Sequence, residues 1–181
     1  MRTVILLVAM LGTVTVGVCA PKYEGSESFT NLFAQTCMAN FYSQEKLRSD
    51  MAARESPVLA AEHSQPFLGG ATGTAWGVAV EDAVYIVVLR DDNVCAVYAQ
   101  QAPVEDVQRN FRAMFSSGLP LLVVEKIDDI SSGPRSDPTT TIAYSWSRAG
   151  DKEKLVFTLT TSSGESSGIQ AFATMSLDKK S

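Results

Sequence analysis

Three cysteines, one histidine and a few serine-bearing motifs are all that this 181-residue chain offers to nucleophilic or metal chemistry. His63 is the only histidine, so the usual general base and the usual zinc or copper ligand occur once. It lies among Glu62, Ser64 and Gln65, a polar stretch that reads as a solvated loop. Gly164-Glu165-Ser166-Ser167-Gly168 spells G-x-S-x-G, but the nucleophile elbow needs a strand-to-helix turn and a later histidine. Here β-like sequence flanks the motif and no histidine follows residue 63, so a hairpin loop is expected. Ser43-Gln44-Glu45-Lys46 matches S-x-x-K without a companion K-T-G, and Ser43 reads as a helix cap. Gly69 to Thr74 is glycine-rich but lacks a phosphate-loop lysine and leads into a strand. The acidic doublets Glu81-Asp82, Asp91-Asp92 and Asp128-Asp129 lack the alternating spacing of a calcium loop and read as solvated turns at strand ends. The sequence thus predicts no catalytic residue, no cofactor and no metal.

The cysteines carry a different kind of chemistry. Arg2 precedes an uncharged apolar run from Val4 to Val18, followed by the polar stretch from Pro21 to Ser26. This is the layout of an export signal over residues 1–20, too short to favour a membrane-spanning helix. Cys19 follows Val16-Gly17-Val18, loosely like a bacterial lipobox, but Val18 stands where that box wants a small residue. Loss of Cys19 with the signal is preferred to lipidation. The mature chain then keeps Cys37 and Cys95, and an even count in an exported protein favours a disulfide over two separate buried thiols. The two lie 58 positions apart, a loop whose closure contributes roughly 4 kcal/mol in the chain-entropy view.

A bridge between these residues requires elements that bring them together. Phe29, Leu32, Phe33, Cys37 and Phe41 form one stripe of a helix beginning near Ser26 or Ser28. A second helix is predicted from Ser43 to about Arg54, ended by Pro57, and residues 57–70 read as a loop broken by Pro66 and Gly69-Gly70. Thr74–Val80, Val84–Arg90 and Val94–Gln100 read as an antiparallel meander. Within its third strand Cys95, Val97 and Ala99 share one face, while Val94, Ala96 and Tyr98 share the other. Pro103 opens a third helix with Val107, Phe111, Met114 and Phe115 on one face, closed by Gly118 and Pro120. Four more strands follow: Leu121–Lys126, Thr140–Arg148, Lys154–Ser162 and Gly168–Leu177. The fold class expected is α+β, with a single antiparallel sheet of about six or seven strands and two or three helices packed on one face. Residues 21–181 form one domain.

Composition narrows the function. A chain with 45% hydrophobic and 19% charged residues supports one buried core, not a disordered segment. Removing residues 1–20 takes the charged residues from 15 basic and 20 acidic to 14 and 20, so the net charge goes from -5 to -6. Nucleic acid is thereby disfavoured as a partner. The aromatic residues Trp76, Tyr98, Tyr144 and Trp146 are the candidates for a binding surface, against a default of core packing.

Phe33-Ala-Gln-Thr-Cys37, Gly73-Thr-Ala-Trp76, Cys95-Ala-Val97 and Gly168-Ile-Gln-Ala171 together resemble the pattern of a little-studied family of small exported proteobacterial proteins. The resemblance would cover about residues 29–177. It implies an envelope protein, supports pairing Cys37 with Cys95, and implies no catalytic residue. The expected function is a non-catalytic module that binds a protein partner in the envelope, through edge-strand or aromatic contacts. The alternative is a small-molecule or lipid binder with a pocket between helices and sheet. The expected location is periplasmic or secreted, or else anchored to the membrane by the N-terminus.

Overall fold

The apolar stripe that begins at Phe29 folds as a helix whose buried side, Phe29, Leu32 and Phe33, lies on a β-sheet. The computed structural model describes residues 25–134, 138–164 and 167–179. The segment expected to be an export signal (residues 1–20, with Cys19) and Ser166 lie outside the described residues. Helix α1 spans Gly25–Phe33 and widens into a π-helical turn, Ala34–Met38. The Thr36 hydroxyl donates to the Leu32 carbonyl at 2.6 Å, and the Asn40 amide donates to the carbonyls of Gln35 and Thr36. Side chains thereby satisfy backbone groups at the end of the helix. Helix α2, Gln44–Ala53, buries Leu47 and Met51, the two residues expected one turn apart. Ser43 occupies its N-cap position but makes no side-chain cap hydrogen bond.

The strands are β1 Gly73–Val80, β2 Ala83–Arg90, β3 Cys95–Ala99, β4 Leu122–Ser132, β5 Thr139–Arg148, β6 Glu153–Ser162 and β7 Ala171–Lys179. They form one antiparallel sheet in the order β1-β2-β3-β7-β6-β5-β4, two meanders joined where β7 pairs with β3. The expected α+β fold with a single antiparallel sheet is thus the observed one. With every neighbour antiparallel, β3 and β4 run in the same direction and need a crossover. Helix α4, Val104–Phe115, supplies it along β6 and β5: Gln108 Nε2 donates to Thr161 Oγ1 at 2.7 Å, and Phe115 stacks on Phe157 with centroids 4.4 Å apart.

The main core lies between this sheet face and helices α1, α2 and α4. Phe29, Phe33, Phe111, Phe115 and Phe157 are all buried in it, with Val87, Val97 and Leu159. Cys37 and Cys95 are bonded, their Cα atoms 5.4 Å apart, and Cys95, Val97 and Ala99 face this core as the period-2 pattern requires.

The other face holds an element that residues 57–70 did not announce. Instead of a loop, Ala61–Leu68 forms helix α3, with Pro66 inside it. Proline in a helix interior loses one backbone hydrogen bond. The compensation is burial, since Leu68 packs with Ala75, Val88 and Ala96, and Leu59 and Phe67 close over them. The Tyr98 hydroxyl donates to the Phe67 carbonyl at 3.0 Å, satisfying one acceptor of the last turn. Gly69, at φ 61°, ends the helix in the left-handed region. Gly73 is fixed by a different constraint: a Cβ there would lie 2.4 Å from the Leu89 carbonyl oxygen, so only glycine lets β1 begin against β2.

Asp128 and Asp129 are not turn residues. β4 runs through them to Ser132, with a register shift between Lys126 and Asp128. An edge strand tolerates the charges because its outer side faces solvent, and Asp129 is held by Arg112 at 2.8 Å and Lys126 at 2.6 Å. Among the described residues no helix is long and apolar enough to cross a membrane.

Candidate functional site

Both edges of the sheet could recruit a partner strand, but they differ. Outside β1, the Leu59 amide donates to the Ala75 carbonyl and the Gly77 amide to the Pro57 carbonyl, each at 2.9 Å. Residues 57–59 thereby cover the middle of that edge. β4 closes the other side of the sheet, with Val123, Ile127 and Ile130 at least half exposed.

The start of β4 borders a cavity of about 490 Å³. Its floor is Trp146, Leu122, Leu155 and Leu177, all carried by strands, and Tyr42, Leu119 and Leu121 stand at its rim. These three are 82%, 65% and 92% exposed, and no large apolar side chain among the described residues is more so. Leu121 is also held at φ 75°, a left-handed conformation that costs a leucine about 1–2 kcal/mol. The loop between α4 and β4 leaves it little choice. The Leu122 amide donates to the Leu119 carbonyl at 3.0 Å, and Gly118 lies so close to Val124 that a Cβ would sit 2.6 Å from its Cγ2.

The polar part of the rim comes from the turn between β5 and β6: Arg148, Asp151 and Glu153. Glu153 pairs with Lys179 at 3.4 Å, whereas Arg148 and Asp151 join no ion pair among the described residues. Among the described residues, one positive and one negative side chain without an ion-pair partner therefore flank a hollow of mixed polar and apolar lining. An apolar floor under a mixed apolar and charged rim, with Ser147 also in the lining, is an arrangement that suits binding. Among the described residues no three His, Cys, Asp or Glu side chains converge as a metal site would require.

The four aromatic residues expected as a binding surface do not form one. Trp76, Tyr144 and Trp146 lie on the sheet face covered by α1 and α4, and are 4%, 5% and 7% exposed. Strand pleating places them there, because each faces the same side as the cysteine bridge. Tyr98 points to the opposite face, half-buried, stacked on Phe172 with centroids 5.3 Å apart and edge-on to Phe67. Burial pushes its phenol up, so it stays a neutral donor to Phe67. Only Trp146 reaches the cavity, as part of its floor, with its indole N–H given to the Phe115 carbonyl at 3.1 Å. Sequence reading missed Tyr42, Leu119 and Leu121. The available signal was a pair of leucines flanking Pro120 between a helix stop and a strand, a position where apolar side chains have no core to enter.

Comparison of the chain with protein-family models, with curated proteins and with solved structures finds no match. The corner is defined by its own chemistry alone: a hollow at one end of the sheet of a disulfide-stapled antiparallel α+β fold.

Proposed function

We propose that this is an exported envelope protein acting as a non-catalytic protein-binding module, which docks its partner where β4 begins, on the cavity rimmed by Tyr42, Leu119 and Leu121. The observation that carries this reading is the clustering of those three side chains, the most water-exposed large apolar groups described, around one hollow. Burying them on a partner would contribute about 25 cal/mol for each Å² removed from water. Export is supported by the apolar run from Val4 to Val18, by the bonded cysteines, and by the resemblance to small exported proteobacterial proteins. A small-molecule or lipid pocket between helices and sheet gains no support from the packing, because aromatic rings from α1, α4 and β6 fill that space.

The test is capture from envelope extract by the oxidised mature protein, beside Leu119→Arg and Leu121→Arg variants. Both positions are at least half exposed, so the fold should tolerate the changes. The expected result is a protein enriched by the wild type and lost by the variants. Repeated extraction that enriches neither another protein nor a second copy of this chain, or equal capture by all three proteins, overturns the reading.

A further inference from the structure

We infer that the partner fitting this corner is a second copy of the same chain, the two related by a twofold axis beside Leu121. The inference rests on the docking reading above and names its partner.

A twofold interface needs a surface complementary to itself, in which residue i of one copy meets residue j of the other and the reverse. This corner carries both halves of two such matches. The first is shape: Leu121, 92% exposed and projecting from a left-handed backbone, stands at the rim of a cavity of about 490 Å³. A leucine side chain is far smaller than that hollow. Across a twofold axis, Leu121 of each copy enters the cavity of the other, onto Trp146, Leu155 and Leu177. The second match is charge. Arg148 and Asp151 sit on the same rim, unpaired among the described residues and not with each other. A partner of a single sign would satisfy one and repel the other. A second copy satisfies both, Arg148 of one against Asp151 of the other and the reverse. Glu153 stays with Lys179 and adds no further charge to be matched.

The experiment is sedimentation of the oxidised mature protein from about 1 μM to about 1 mM, a range that brackets dissociation constants of weak and moderate dimers. The expected result is a concentration-dependent dimer. Leu121→Arg should weaken it tenfold or more, with an unchanged circular-dichroism spectrum. Arg148→Asp and Asp151→Arg should each be monomeric alone. Mixing these two variants should restore a one-to-one dimer, because only the mixed pair matches charges at both contacts. A wild type that stays monomeric throughout overturns the inference, as does a dimer indifferent to Leu121→Arg or a mixture that fails to associate. The docking reading is judged separately, by extract capture. If the wild type is monomeric yet Leu121→Arg abolishes capture of a different protein, the second copy is wrong and the docking corner stands. If capture is also unaffected, both fail.

Discussion

The indole N–H of Trp146 donates to the carbonyl of Phe115 at 3.1 Å, tying the last residue of α4 to β5, the strand beside the β4 edge. The bond is buried, and it sits where the chain leaves the core to build the rim of the cavity. Phe115 packs at the same point against Phe33, Phe111, Trp146 and Phe157. Trp146→Phe keeps most of the apolar burial and removes the donor. The expected loss is about 1–3 kcal/mol of unfolding free energy, the cost of a buried acceptor left without its partner. Urea denaturation measures it, and a loss below a few tenths of a kcal/mol would show that water replaces the indole.

The bridge from Cys37 to Cys95 spans 58 positions and joins the π-helical turn to β3. Replacing both cysteines by alanine is expected to cost roughly 4 kcal/mol. At this chain length that corresponds to a melting temperature lower by roughly 10 °C. Calorimetry on the oxidised protein and the double variant gives the difference. Intact-mass analysis that finds two free thiols in the oxidised protein would contradict the bridge itself.

Leu121 separates stability from binding. Glycine adopts φ 75° without the penalty a leucine carries, and at 92% exposure little burial is lost. Against the relief of about 1–2 kcal/mol stands the greater freedom of glycine in the unfolded chain, about 0.5–1 kcal/mol. The relief wins by a small margin. Leu121→Gly should therefore raise the unfolding free energy by roughly 0.5 kcal/mol while weakening any association through this corner.

Asp129 makes stability depend on acid. The Arg112 guanidinium and then the Lys126 ammonium hold its carboxyl down at about 2, below the ordinary 3.8. A carboxyl depressed by folding stabilises the native state above its unfolded value, and that contribution disappears as pH falls through the folded value. Wild type should thus exceed Asp129→Asn in stability above about pH 4, with the gap closing between about pH 4 and pH 2. Paired denaturation curves across that range test the assignment. A gap independent of pH would point to packing instead of charge.

What the sequence alone determined were the features written in local periodicity and in scarcity. The stripe from Phe29 to Cys37 announced α1, and alternation in β3 placed Cys95, Val97 and Ala99 on one face, where the core indeed lies. The pairing of Cys37 with Cys95 followed once Cys19 was assigned to the signal. These readings succeed because a helix stripe and a pleated strand are imposed by backbone geometry over a few residues. Tertiary structure alone decided the rest. Pro66 marks a breaker in any local reading, yet α3 forms around it because Leu68 and Phe67 find Ala75, Val88 and Tyr98 across the sheet. Asp128-Asp129 resembles a turn, yet β4 passes through because strand order places it at the edge. Trp76, Tyr144 and Trp146 could have faced water or core, and the position of α1 and α4 chose core. The exposed trio Tyr42, Leu119 and Leu121 comes from two distant stretches of chain and meets only at the start of β4. No local pattern contains that meeting, since it is set by which strands pair and by where the loop after α4 must turn.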